Sequence, residues 1–319
     1  MEDYPRNLQE FNARFVKDED CREYLRQLRW PEGFRCPRCG CEQSSPVRGT
    51  LLRCLACRHQ VSVTAGTIFQ DTHIPLRLWF QAMWWVTTQK NGASALSLQH
   101  ILGLRRYETA WAMLHRLRRA MVRPGRDLLI GRVEVDECYV GGPEADLPGR
   151  LNLDKTLVVV AAQEDGPGIG RIRMSQIPDA SSASLVPFVQ DSVAEGSVVH
   201  TDGWLGYLPL ETKGFMHEIT YLKGKREAAS ELLPRVHLVI SLLKRWLMGT
   251  HQGAVSHKHL DYYLDEFTFR FNRRKSRSRG KLFFRLAQQA VAIDPVTRYQ
   301  IVHPDQEKPP VKTQSLGVW

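Results

Sequence analysis

Two aspartates, a histidine and a lysine carry the chemistry open to this sequence. Asp136 lies in Val133-Glu134-Val135-Asp136-Glu137-Cys138-Tyr139-Val140, an apolar and polar alternation that predicts a strand ending at the turn Gly141-Gly142-Pro143. Asp202 closes the run Ser197-Val198-Val199-His200-Thr201-Asp202, just before Gly203, at the tip of a second strand. His237 opens an apolar helical stretch from Val236 to Met248, and Lys244 falls two turns on, on the same face. Carboxylates are the natural ligands of Mg²⁺ or Mn²⁺, and imidazole suits Mn²⁺ better than Mg²⁺. A pair of such ions about 4 Å apart serves in-line displacement at phosphorus, activating an oxygen nucleophile and stabilising the leaving oxyanion.

The elements that must position these residues follow from periodicity. Strand patterns run over 132 to 140, 157 to 163, 169 to 176, 197 to 202 and 217 to 222, with a helix over 182 to 193 after the third. Three strands, a helix, a strand, a helix-sized gap and another strand is the order of an RNase H-like α/β domain, a mixed five-stranded sheet flanked by helices. It brings the tips of the first and fourth strands together, and so sets Asp136 beside Asp202. Glu137 points to the opposite face from Asp136.

The ordered phrases Val-Glu-Val-Asp-Glu (133 to 137), His-Thr-Asp-Gly (200 to 203), Tyr-Leu-Asp-Glu-Phe (263 to 267) and Phe269-Arg270-Phe271-Asn272-Arg273-Arg274 run along most of the chain. With them the sequence resembles insertion-sequence transposases of the Asp-Asp-Glu superfamily, in the zinc-ribbon-bearing family numbered fifteen-ninety-five. The resemblance implies a DNA transposase that binds terminal inverted repeats and catalyses metal-dependent strand cleavage and strand transfer. It implies Asp136 as the ligand bridging two Mg²⁺ or Mn²⁺ ions, Asp202 as a ligand to one of them and His237 at the third position, where the superfamily carries an acid. Lys244 would contact a DNA phosphate or terminal base. Pairing two element ends implies at least a dimer on double-stranded DNA. Two nearby acids are set aside: Glu231 falls in the loop before Pro234, and Glu266 projects away from the stripe Leu260, Tyr263, Leu264, Phe267 and Phe271 of a helix over 257 to 272.

Upstream, Cys36-Pro37-Arg38-Cys39 and Cys54-Leu55-Ala56-Cys57 form two Cys-x-x-Cys pairs at ribbon spacing, which predicts one structural Zn²⁺ on Cys36, Cys39, Cys54 and Cys57. Gly40 suits the positive φ of the knuckle. Cys41 breaks the paired geometry, while Cys21 and Cys138 read as buried thiols.

The stretch Gly92 to Leu104, read as a short helix stopped at Gly103, and a second helix over 107 to 121 make a helix-turn-helix whose second helix would read the major groove. Arg105, Arg106, Arg116, Arg118, Arg119 and Arg123 crowd it and are the expected DNA contacts, with Arg273, Arg274 and Lys275 as a second phosphate-contacting arm. The net charge of +10 favours a polyanionic partner. The expected division is a polar N-terminal helix to residue 30, a ribbon over 31 to 63, a helical DNA-binding region over 64 to 126 with Trp79, Trp84 and Trp85 in its core, a catalytic domain over 128 to 290, and a C-terminal tail over 291 to 319, disordered from about 304. Met1-Glu2-Asp3-Tyr4 begins no signal peptide and no run is long enough to span a membrane, so a cytoplasmic, nucleoid-associated protein is expected. A nuclease or resolvase without strand transfer, or a dead transposase kept as a DNA-binding regulator, would share most of these features.

Overall fold

In the computed structural model, residues 2–47, 49–122, 125–141, 155–221, 229–253 and 255–304 are described. Where one polar N-terminal helix was expected there are two, α1 (Leu8–Arg14) and α2 (Asp18–Arg29). The break has a local cause. The Asp20 carboxylate accepts the backbone N–H groups of Val16 (3.0 Å) and Lys17 (2.8 Å), which starts a fresh helix instead of continuing the first. Phe15, at the break, is thereby turned into the core.

The ribbon follows as three short antiparallel strands, β1 (Ser44–Pro46), β2 (Leu51–Cys54) and β3 (Gln60–Ser62). Then come α3 (Leu76–Thr88), α4 (Ala95–Leu102) and α5 (Tyr107–Arg119). Asp18 caps α3 from a distance, its carboxylate accepting from the N–H groups of Leu76 (3.1 Å) and Arg77 (3.0 Å). Ser94 caps α4, and Gly103 ends it in the left-handed conformation at φ 62°, so the helix-turn-helix stands as its turn chemistry predicts. Trp79 and Trp84 are buried in the helical core and Trp85 packs against it.

The second unit is a five-stranded mixed sheet of β4 (Arg132–Val140), β5 (Thr156–Asp165), β6 (Gly168–Ile177), β7 (Val198–Thr201) and β8 (Met216–Ile219), ordered β6-β5-β4-β7-β8. β4 to β6 run antiparallel, and β7 and β8 add in parallel. One face is covered by α6 (Ser182–Ser192), the other by α8 (Pro234–His251) and α9 (Leu260–Asn272). The α9 residues Leu260, Tyr263, Leu264, Phe267 and Phe271 all lie in the second of these cores.

Two expected boundaries move. α10 (Arg279–Ala290), assigned by sequence to the catalytic domain, instead completes the N-terminal helical core, where the Phe283 ring meets those of Phe11, Phe15, Tyr24, Phe80 and Trp84. Gly280 allows this, because a Cβ there would overlap the Pro5 carbonyl oxygen at 1.7 Å. The expected tail begins with ordered structure, α11 (Arg298–Val302), whose Ile301 is buried; the segment expected to be disordered lies, from 305 on, outside the described residues.

The helical region is locked to the sheet unit through α9. Glu266 accepts from Arg118 Nε at 2.8 Å and Arg270 Nε at 2.9 Å, and Arg118 also lies 4.0 Å from the Tyr263 ring centroid. Beside this pair, His115 is enclosed by Trp111, His259, Tyr262 and Tyr263, and neither ring nitrogen has a hydrogen-bond partner. Burial, with Arg118 adding to it, pushes the His115 pKa down to about 2, and His251 nearby is pushed down to about 4. Both rings are neutral in the fold, whereas in the unfolded chain they titrate near 6.5. Stability is therefore full above about pH 6.5 and falls as the pH drops, by about 1.4 kcal/mol per pH unit for His115. Thermal midpoints from pH 7.5 to 5 should fall more steeply for the parent than for His115→Leu; parallel curves would rule the account out.

Candidate functional site

Asp136 sits in the middle of β4 and not at its tip, because β4 continues beyond the end of β7 while still paired to β5. The parallel register of β4 and β7, ending at Glu134 opposite His200, leads the two chains on to Asp136 and Asp202. Asp202 follows β7 directly. Its Oδ1 accepts from Trp204 N at 2.9 Å, and Gly203 turns at φ 82°, where a Cβ would come within 2.7 Å of Ile219 and 2.9 Å of Tyr221. Only glycine lets the backbone leave this carboxylate so abruptly.

α8 starts with Pro234 in its first turn and lays His237 against β4. His237 Nε2 stands 3.5 Å from Asp136 Oδ2, and this buried nitrogen has no hydrogen-bond partner among the described residues. Burial pushes the His237 pKa down, so the imidazole is neutral and its lone pair available. Asp136 is pushed the other way, to about 7, by burial first and then by the charges of Glu137 and Asp202. A buried carboxylate facing an unpartnered imidazole, with a second carboxylate repelling it, is an arrangement that a divalent cation would relieve. Two donors of one octahedral ion lie about 3 Å apart, so the Asp136–His237 spacing fits. Asp202 stands farther off, since the three ligand atoms are not within 4.8 Å of one another among the described residues. Lys244, exposed on the same helix, acts electrostatically on both His237 and Cys138 and lines a cavity of about 510 Å³ with Tyr139, Thr156 and Met248.

One residue of this site was quoted in a motif but given no role. Glu134 lies two residues before Asp136, hence on the same strand face. It is almost fully buried, and its carboxylate accepts the N–H groups of Arg235 (2.7 Å) and Val236 (2.8 Å) and the Arg235 guanidinium (3.0 Å). Glu134 thus ties the first turn of α8 to the strand bearing Asp136. Glu137, as its strand position predicts, faces away and accepts from the buried Tyr207 hydroxyl at 2.9 Å.

The two acids set aside by sequence fare differently. Glu231 is exposed in a short helix, α7 (Ala229–Leu232), and not in a loop. Glu266 does project off the stripe facing the sheet, but into the interface with α5, where it is wholly buried.

Among the arginines expected to meet DNA, Arg105, Arg106 and Arg119 are exposed and Arg116 is half-buried. Arg118 is not available: it is 2% exposed and bound to Glu266. Arg123 lies outside the described residues. The second basic segment is no free arm. Arg274 donates to the Gly170 and Ile169 carbonyls on β6 and lies over Phe271, Arg273 donates to Phe269 O and lies over its ring, and Lys275 pairs with Asp165 at 2.6 Å. Carbonyls at the edge of β6 thus hold Arg274, a carbonyl of α9 holds Arg273, and a carboxylate at the end of β5 holds Lys275.

In the ribbon, Cys36 Sγ lies 3.7 Å from Cys57 Sγ and Cys39 Sγ 3.6 Å from Cys54 Sγ, with all four sulfurs within 4.8 Å of one another. Tetrahedral Zn–S bonds of about 2.3 Å put sulfurs about 3.8 Å apart, so the quartet fits one zinc ion. Cys41 stays outside it, its sulfur held to the Gln43 backbone. Cys21 and Cys138 are buried. Cys54→Ser is expected to lose zinc and unfold the ribbon while the catalytic sheet stays folded, read by metal content and circular dichroism; one zinc per chain retained in that variant would move the site elsewhere.

A four-cysteine ribbon, a helix-turn-helix and a sheet of this strand order with paired aspartates define the class of Asp-Asp-Glu-type transposases. Comparison with known families agrees: residues 128–272 match the ISXO2-like transposase domain and residues 16–60 match the transposase zinc-ribbon domain, both of the IS1595 group. Both matched segments are thus similar to domains of IS1595 transposases. It is also 29% identical over 279 residues, covering 80% of this chain and 91% of the relative, to an uncharacterized protein in transposable element ISH50 of Halobacterium salinarum. Among the described residues no helix is long and apolar enough to cross a membrane.

Proposed function

We propose that this transposase binds the terminal inverted repeats of its element as a dimer or larger assembly and catalyses strand cleavage and strand transfer, with Asp136, Asp202 and His237 holding Mg²⁺ or Mn²⁺. The observation that carries the reading is the buried, unpartnered His237 Nε2 held 3.5 Å from Asp136 Oδ2. Bound divalent ions would supply activation of the attacking oxygen and stabilisation of the leaving one. The chain's own residues supply position. Glu134 fixes the helix that carries His237, and Gly203 sets the turn that presents Asp202. Lys244 offers a cation to a DNA phosphate or terminal base beside the site. Arg105, Arg106, Arg116 and Arg119 supply contacts from the helix-turn-helix.

Incubating the protein with its flanking element DNA and Mn²⁺ tests this by mapping 3′-OH ends and joined products. Ends that are nicked and then joined to a target support it. Nicks without joining indicate a nuclease or resolvase, and binding without nicks in any metal indicates a DNA-binding regulator.

A further inference from the structure

We propose that Arg126, Arg171, Arg173 and Arg273 form a second, separate binding site for a phosphoryl group. The four line one cavity of about 270 Å³ between β6, α9, α10 and the segment that leads from α5 to the sheet. It lies at the outer edge of β6, where Asn272 bonds the Ile172 backbone, and Arg173 enters it from the sheet face opposite the metal-ligand candidates: Arg173 pairs in register with Ala161, and Ala161 with Val135, whereas Asp136 shares its face with Val160 and Met174.

Arg173 is the centre of the argument. It is 3% exposed, and its guanidinium donates to the Ile172 carbonyl at 2.9 Å and the Asp127 carbonyl at 2.5 Å, but its Nε has no hydrogen-bond partner among the described residues. A buried guanidinium is costly unless an opposite charge accompanies it. Here its charged neighbours are mostly of its own sign: burial, then Arg126 and Arg171, with Arg273 adding, pull its pKa down to about 10 against Asp127 alone. Asp127 accepts from Arg171 at 3.3 Å, and Asp265, which attracts Arg126, is itself buried with its pKa raised to about 7. Among the described residues, the carboxylates that act on Arg173 and Arg126 are those of Asp127 and Asp265. Packing alone would be served better by an apolar residue at position 173. A tetrahedral oxyanion satisfies the set, because guanidinium forks bind phosphate oxygens bidentately and gain most where water is scarce. Arg171, with 36% of its side chain exposed, and half-buried Arg273 open the cavity to solvent, so a phosphoryl group can enter either free or attached to a DNA strand.

Which of these sources applies rests on the transposase reading; the site itself does not. The experiment uses the full chain, Arg171→Gln, and Arg126→Gln combined with Arg171→Gln, leaving the buried Arg173 in place so that the variants fold. One arm measures the thermal midpoint in inorganic phosphate against chloride at equal ionic strength. The other measures the salt dependence of binding to a duplex carrying an element end. Stabilisation of the parent by phosphate, lost in the variants, establishes a site for the free anion. A salt slope lowered by about one unit per arginine, without stabilisation by phosphate, establishes a DNA-backbone contact. If neither quantity separates parent from variants, the proposal is overturned. A parent that binds no DNA at all overturns the transposase reading and leaves the phosphate arm to decide this one.

Discussion

Glu266→Gln is expected to destabilise the fold by about 3–5 kcal/mol, since removing one partner of a buried ion pair strands the other charge. Glu266 is completely buried between two arginines, and Arg118 is buried almost as fully. Burial raises the Glu266 pKa, yet Arg118 and Arg270 outweigh it and hold the carboxyl below its ordinary value, so it is charged in the fold. Glutamine keeps the shape but offers one neutral oxygen to two guanidiniums. The loss should show as an early urea or thermal transition, and because the pair joins α5 to α9 the helical region should loosen from the sheet first. Pairing Glu266→Met with Arg118→Met should recover most of the loss, because then no charge is left buried. A Glu266→Gln protein melting within two or so degrees of the parent would show that water or another group compensates Arg118.

That interface marks where sequence reasoning reached its limit. A helical stripe locates one buried face, and α9 has two: Leu264 and Phe267 face the sheet while Glu266 faces α5. Nothing in a 100° step distinguishes a polar residue turned to solvent from one turned to a second layer. Arg118 was misjudged for the same reason, being one residue of a basic run that packs beside Leu114 and Leu117 and away from solvent. The place of α10 was invisible because its partners α2 and α3 are remote in sequence. By contrast, the β4 boundaries and the four-cysteine set were legible, since strand alternation and ligand spacing are local. Glu134 was legible too, two residues from Asp136 on a strand and so on the same face, had that face been asked what holds α8 in place.

Asp136→Asn is expected to reduce strand cleavage by several orders of magnitude while binding end DNA about as tightly as the parent, because the amide loses the anionic charge proposed to hold a cation, and Asp136 is proposed to hold metal and not DNA. His237→Ala should lose nearly all cleavage as well. His237→Glu should retain some and shift the preference from Mn²⁺ towards Mg²⁺, since a carboxylate is the harder ligand. Glu134→Gln separates position from ligation. Its amide can accept only part of what the carboxylate takes from Arg235 and Val236, so α8 should sit less firmly and Mn²⁺ should bind more weakly by about 10–100-fold, as when a residue that orients a metal ligand is changed. In a His237→Ala background the same change should add little, for Glu134 then has no ligand to position. Mn²⁺ affinity measured by electron paramagnetic resonance, beside cleavage rates on end DNA, reads all five variants. An Asp136→Asn protein that still cuts removes the metal-site assignment. A His237→Ala protein that cuts while Glu231→Gln is dead moves the third ligand off α8.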